Sequence, residues 1–443
     1  MAQESTLRGT LSWSSIFRLG LVQMCLGGLV VITTSTLNRL MIVEMALPAV
    51  LPGLLVGLHY AIQITRPNWG YKSDTGGNRT RFILLGMAGL GLGAFMAALG
   101  MVIMEAQFWA GLAVSVLAYA VIGMGVGAGG TSLLALLATS TAAPRRAAAA
   151  TITWLMMIFG IALTATLVGK AITPYSHAVL LETVASASVI ALVLTALAIW
   201  GIEAKVGGAL RPEAAPMPYM QGMRQIWGEP RARVFTLFIF LSMVAYFMQE
   251  LILEPYAGLV FGLTPGQTSA LSGAQNGGVF VGMLLVGIAA TGLRIGSLRF
   301  WVVAGCTGSA AALFVLALAA HSPWGPAALT PAVISLGLFN GMFAVSAIGA
   351  MMALAGEGRA EREGTRMGLW GASQAMAAGA GGLFGAAAVD VSRQFMATSS
   401  AYGAVFLFEA GLFLLAAMMA ARIVSGARAD TGQLGQGHLM AGE

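Results

Sequence analysis

Twelve apolar runs, each long enough to cross a bilayer as a helix, take up most of this 443-residue chain. They cover roughly 17–38, 46–65, 82–104, 108–139, 149–172 and 179–201, then 234–261, 268–291, 300–320, 327–355, 367–388 and 400–422. Hydrocarbon offers backbone N–H and C=O groups no water, so a spanning segment satisfies them inside a helix or a closed barrel. Barrel strands are short and alternate in polarity, whereas these runs are long and continuously apolar, so helices are expected. Charged residues make up only 9% of the chain, against about 25% in a soluble domain. That deficit excludes an ordinary soluble protein, a disordered chain, and a large soluble enzyme on a small anchor. The two cysteines, Cys25 and Cys306, lie inside apolar runs and read as packing residues, not as a disulfide framework. The first run is too long for a signal-peptide core and is expected to stay as a mature helix.

Twelve spans put both termini on one side. On that side fall all but Arg39, Lys170 and Arg393 of the 23 basic residues. Lysine and arginine accumulate in cytoplasmic loops, so both termini are expected to be cytoplasmic. The same bias accounts for the net charge of +6 without a nucleic-acid partner. A basic cytoplasmic face suits anionic lipid headgroups.

The longest polar interruption, 202–233, contains Pro212, Pro216, Pro218 and Pro230 and splits the helices six and six. The expected organisation is an N-terminal half over 1–201, a cytoplasmic linker over 202–233, a C-terminal half over 234–422 and a tail over 423–443. Corresponding features recur at a shift of about 217 residues, the mark of a duplicated unit. Such halves packed around a midplane cavity are the design of many secondary transporters. The fold class is therefore all-α and polytopic, with twelve transmembrane helices in two six-helix pseudo-repeats.

Between the second and third spans, Gly70, Asp74, Gly77 and Arg79 give the spacing G-x-x-x-D-x-x-G-x-R. This resembles the signature loop of the major facilitator superfamily, on the side where that superfamily carries it. Glycines permit a tight turn, and a carboxylate facing a helix N-terminus and an arginine steadies one conformation. A generic polar turn is the alternative. The matching loop in the second half, around Gly292 to Arg299, lacks the aspartate, so any lock is asymmetric.

Ionisable groups at membrane depth cost about 2.5–3.5 kcal/mol each on insertion scales, which makes them functional candidates. The seventh span holds Gln249, Glu250, Glu254, Pro255 and Tyr256. Glu250 and Glu254 share a helix face one turn apart, and Pro255 is expected to kink or end the helix. The pair reads either as a proton-coupling or cation site, or as a helix end where Glu254 is simply wet. His59 reads as a ligand to the magnesium of a chlorophyll-type macrocycle or as a histidine hydrogen-bonded between helices. Asn340, Gln275, Asn276 and Gln374 line a cavity or bind helices together. Glu409 has no partner that the sequence names. Small-x-x-x-small pairs, among them Gly89 with Gly93, Gly273 with Gly277 and Gly381 with Gly385, point to close helix packing. Gly125 to Gly130 lies inside an apolar span with no strand before it and is no phosphate loop. No zinc spacing, nucleotide loop or nucleophile constellation appears, so the chain is read as not an enzyme and as requiring no cofactor.

Five segments together resemble the PucC family of the major facilitator superfamily. They run from Thr36 to Glu44, Gly70 to Asp74, Gln249 to Tyr256, Gly337 to Phe343 and Arg362 to Gln374. The likeness covers nearly the whole chain except the tail after about 425. It implies a photosynthetic membrane protein that delivers bacteriochlorophyll for light-harvesting complex assembly. The stretch around His59 and the Gly-Gly-Asn-Arg loop resemble the subgroup linked to bacteriochlorophyll synthesis genes. The resemblance implies bacteriochlorophyll as bound cargo, and antenna polypeptides or bacteriochlorophyll synthase as partners. It makes His59, Gln249, Glu250, Glu254, Tyr256, Asn340 and Gln374 the candidate pigment- or substrate-binding residues. Magnesium ligation would fall to His59 or to a carboxylate of the seventh span, Glu250 or Glu254. The aspartate-rich motifs of a membrane prenyltransferase are absent from the sequence. The competing expectation is a proton-coupled transporter of a small lipophilic solute that uses Glu250 and Glu254. A third is an enzyme subunit supporting bacteriochlorophyll synthesis.

Overall fold

The structure is a computed structural model that describes residues 10–423 apart from 46, 48–49, 77, 173–174, 207–218, 264, 294 and 358–362. Gly77 and the tail from 424 on therefore lie outside the described residues, as do the side chains of Arg39 and Glu250.

The described residues form helices and no strand. In the first half these are α1 (Trp13–Val31), α2 (Leu37–Val43), α3 (Val50–Ile62), α4 (Arg66–Thr75), α5 (Arg79–Ala106), α6 (Phe108–Ser140), α7 (Arg146–Ala171) and α8 (His177–Ile199). Two short helices follow, α9 (Ile202–Val206) and α10 (Tyr219–Gly228). The second half holds α11 (Pro230–Phe261), α12 (Pro265–Gly287), α13 (Leu298–Ala319), α14 (Gly325–Glu357), α15 (Glu363–Ser392) and α16 (Thr398–Ile423). Eleven of the described helices are long and apolar enough to cross a membrane. The second apolar run corresponds to α3 and the 3-10 turn at Gln63–Thr65, after which α4 continues as a polar helix beyond the run. Pro67 enters α4 in its first turn, where the missing proline N–H is tolerated.

Helix edges depart from the apolar pattern in two places. The first helix passes through a π-turn at Ile32–Thr36 and continues as α2. Thr33 and Thr34 both donate to the Val30 carbonyl there, taking up an acceptor in the region of the turn. The family segment beginning at Thr36 is thus helical as far as Val43. Pro255 does not end its helix: α11 runs on to Phe261 and stops at Gly262, whose φ of 71° is left-handed. A glycine takes that conformation without the steric cost of a Cβ, which makes it the better stop.

Glycine sets the packing distance inside each half. A Cβ on Gly86 would strike the backbone of Gly129, drawing α5 onto α6. In the second half a Cβ on Gly282 would fall on the Leu338 carbonyl, and one on Gly341 on the Val279 carbonyl. Gly381 and Gly385 pack on α11 as their spacing predicts. Gly273 and Gly277 do not pack, since both face open space and Gly278 and Gly282 make the contact to α14 instead. The pattern identifies a small stripe, but the helix rotation decides which glycines meet a neighbour.

Gly282→Val should force α12 off α14, at a cost of the order of 1–3 kcal/mol or more for overpacking. A lowered unfolding temperature in detergent, with Gly277→Val nearly unchanged beside it, is the expected result.

Candidate functional site

The two halves meet at the face that carries most of the arginines. Here α4 ends and α15 begins, and Gly70 lies so close that a Cβ would overlap the Gly364 carbonyl. Asp74 crosses this contact. Its Oδ1 accepts from the Gly364 N–H at 2.8 Å and its Oδ2 from the Thr365 N–H at 2.9 Å and the Thr365 hydroxyl at 3.1 Å. Arg79 Nη2 completes the set at 2.9 Å from Oδ1. The aspartate of the first half therefore caps the N-terminus of a helix in the second, where free N–H groups and the helix dipole favour an anion. The Asp74 and Arg79 side chains are only 1% and 2% exposed.

The charges around this pair are ordered as well. Arg79 reaches Glu363 at 3.4 Å and donates to the Thr139 hydroxyl at 3.1 Å. Glu203 accepts from the backbone N–H groups of Arg79 and Thr80, which caps α5. Glu229, just before α11, takes both of its contacts from Arg366 Nη2 at 2.7 Å. A second close contact between the halves lies where Gly287, at the end of α12, meets the Thr151 side chain of α7. Burial raises the Asp74 carboxyl from 3.8 to about 6, while Arg79 and the N–H groups of Thr365 and Gly364 pull it down.

Sequence reasoning finds Asp74 and Arg79 through their spacing but misses Glu203 and Glu229, and it marks Glu363, Thr365 and Arg366 only as part of the family segment from Arg362, with no role in the site. Glu229-Pro230 and Glu363 at the starts of α11 and α15 are helix-start signals that would have pointed to two of them. Arg66 is also missed. It donates to the Gly371 carbonyl at 3.2 Å across the half–half contact, and no described carboxylate pairs with it.

The other candidates do not form one constellation. His59 is 1% exposed; one ring nitrogen, Nε2, lies 3.1 Å from Gln63 Nε2, and Nδ1 has no partner. Tyr256 donates to the Leu316 carbonyl at 2.6 Å, and Asn340 accepts from the Ser309 hydroxyl at 2.8 Å. Both therefore bond to α13, inside the second half. Glu254 accepts from Ser272 at 2.6 Å on a different side of α11. Gln249 is buried with an unpartnered Oε1, and Gln374 is half-buried. Glu409 is fully buried, and neither carboxyl oxygen has a hydrogen-bond partner.

A family model described as PUCC protein matches residues 36–428. The chain belongs to the PucC family. A relative from Rhodobacter capsulatus, named the bacteriochlorophyll synthase 44.5 kDa chain, is 62% identical over 94% of this chain and 96% of its own length. The protein PucC of Cereibacter sphaeroides is 29% identical, covering 90% of each chain. Among solved structures, a bacterial homologue of the iron transporter ferroportin in an outward-facing state aligns with a TM-score of 0.71 at 13% identity, over 94% of this chain and all of that one. A proton:xylose symporter of the major facilitator superfamily aligns with a TM-score of 0.66 at 16% identity, over 93% and 95%. At these identities the structural likeness establishes the fold, a twelve-helix membrane protein of the major facilitator type. In this PucC-family chain Asp74, near the end of α4, is tied to the start of α15.

Asp74→Ala would leave the Gly364 and Thr365 N–H groups without their acceptor and take one of three partners from Arg79, weakening the seal by about 1–3 kcal/mol. Spin labels at the exposed positions Lys72 and Arg231 should report a longer or broader distance in that variant. The pH dependence has a defined sign. A carboxyl raised in the closed form favours closure most below its ordinary value of 3.8, and that contribution is lost as pH rises through about 6. The distance distribution should therefore narrow between pH 6 and 4, and Asp74→Ala should abolish that change.

Proposed function

We propose that this protein handles bacteriochlorophyll, holding the pigment and passing it on for light-harvesting complex assembly or beside bacteriochlorophyll synthesis. The observation that carries this reading is the 62% identity, over nearly the full length of both chains, to a relative named as a bacteriochlorophyll synthase chain. In this reading the chain is a carrier and not the catalyst of esterification. Its partners are antenna polypeptides or the synthase, and both of its termini face the cytoplasm from the photosynthetic inner membrane. The domain limits at 201, 233 and 422 belong to the same reading of the sequence.

A second reading is a proton-coupled transporter of a lipophilic solute. Glu409 favours it, as a carboxyl buried in a spanning helix with both oxygens unpartnered. It predicts pH-gradient-driven flux into vesicles that is lost in Glu409→Gln.

The test of the first reading is the visible and near-infrared spectrum of the tagged protein, purified in mild detergent from a pigment-making host. Near-stoichiometric bacteriochlorophyll is expected. His59→Ala and Glu250→Gln, measured alongside, decide whether either residue ligates it. A colourless protein of unchanged thermal stability would overturn the pigment reading.

A further inference from the structure

A cleft of about 490 Å³ opens on the side of the first half, between α1, α7 and α8. All three helices are long and apolar enough to cross a membrane, and the rim of the cleft carries exposed aliphatic side chains, Leu163, Leu167 and Ile190, as suits an opening towards hydrocarbon. Its floor exists because α1 and α7 touch through glycine. A Cβ on Gly160 would strike the Met24 carbonyl, and one on Gly28 would lie 2.5 Å from the Thr164 hydroxyl. Its walls are aliphatic, and Leu167 and Ile190 remain 57% and 58% exposed, too open to be packing within this chain.

The polarity of the lining is graded along the membrane normal. The helices α7 and α8 are antiparallel neighbours, so Ala171 and Glu182 lie towards one end and Gly160 and Leu194 towards the other. On α8, Glu182, Thr183 and Ser186 cluster within about one turn towards the first end, with Leu163 and Leu167 of α7 opposite them, while Ile190, Ala191 and Leu194 line the deeper part. From Glu182 to Leu194 the helix rises about 18 Å at 1.5 Å per residue. Glu182 is exposed, and no described residue forms an ion pair with it.

An apolar slot with one acidic end matches a single long-tailed amphiphile whose head presents a cation or hydrogen-bond donors. The volume suits one hydrocarbon tail and lies in the range of small-ligand sites. A macrocycle would stay outside, in the lipid, with its metal within reach of a carboxylate, and magnesium prefers oxygen ligands. His59 offers no comparable access, being 1% exposed with Gln63 at its Nε2.

We infer that the cleft between α1, α7 and α8 is a lateral docking site for bacteriochlorophyll, with the pigment tail in the slot and Glu182 at its head. This rests on the pigment reading and adds a place to it: cargo enters from the bilayer through the side of the first half. Ala187 lines the slot, and Ala187→Trp would fill it without touching the half–half contact. Glu182→Gln keeps the shape and removes the charge.

The test measures pigment per protein and the near-infrared band for wild type, Ala187→Trp, Glu182→Gln and His59→Ala, each purified from the pigment-making host and checked for monodispersity. The expected result is a loss of about tenfold or more in pigment for Ala187→Trp, equivalent to at least about 1.4 kcal/mol. Glu182→Gln should shift the band or lower occupancy while remaining stable, which keeps the proposal testable if the tryptophan variant misfolds. Wild-type pigment retained unchanged in both cleft variants would overturn the docking site and leave the pigment reading intact. So would mass spectrometry showing phospholipid alone displaced by Ala187→Trp. A wild type without pigment would overturn both.

Discussion

The Asp74 carboxylate is the interaction on which the closed arrangement turns. It belongs to one half and satisfies the first N–H groups of a helix in the other. A buried anion is tolerable only where donors surround it, and here Arg79, Thr365 and two backbone amides do so. The seal is therefore conditional. Moving α15 away by a few ångströms would leave the carboxylate and the helix end both unsatisfied unless water entered. Contacts of that kind have two discrete states and few intermediate ones, which is what a conformational switch between halves requires.

Glycine does the complementary work. Within each half it lets helices approach until backbone meets backbone, as Gly86 and Gly282 show. In lipid there is no hydrophobic drive between helices, so close van der Waals contact is what holds a bundle together. Across the halves, Gly70 and Gly368 allow α15 to lie against α4. The same economy of side chain leaves the shallow cleft on the outer side of α1, α7 and α8. There the helix approach is set by Gly28 and Gly160 while the neighbouring walls stay apart.

Much of this was legible before the fold was known. Span count, helix class and the signature spacing all follow from hydropathy and local pattern, because hydrocarbon leaves the backbone few alternatives. Candidate sites were less legible. Asn340 reads from the sequence as lining a cavity or binding helices together, and it does the second, accepting from Ser309 of α13, while Tyr256, a candidate binding residue, donates to the Leu316 carbonyl of the same helix. A helix face is visible in a sequence, but the helix that faces it is not. Arg66 shows the converse: it counts as one more basic residue marking topology until the structure sets its guanidinium on the Gly371 carbonyl.

The sequence by itself determined that this chain spans a membrane many times as helices, repeats a six-helix unit and carries a charged loop between its second and third spans. Those properties reside in composition, periodicity and short spacings, which need no knowledge of neighbours. Only the tertiary structure decided that Asp74 caps α15, that Glu203 caps α5 while Glu229 holds Arg366, and that Glu182 lines a largely apolar cleft with α1 and α7. Each of these joins residues far apart in the chain, and the rotation and depth of two helices relative to each other fix such meetings.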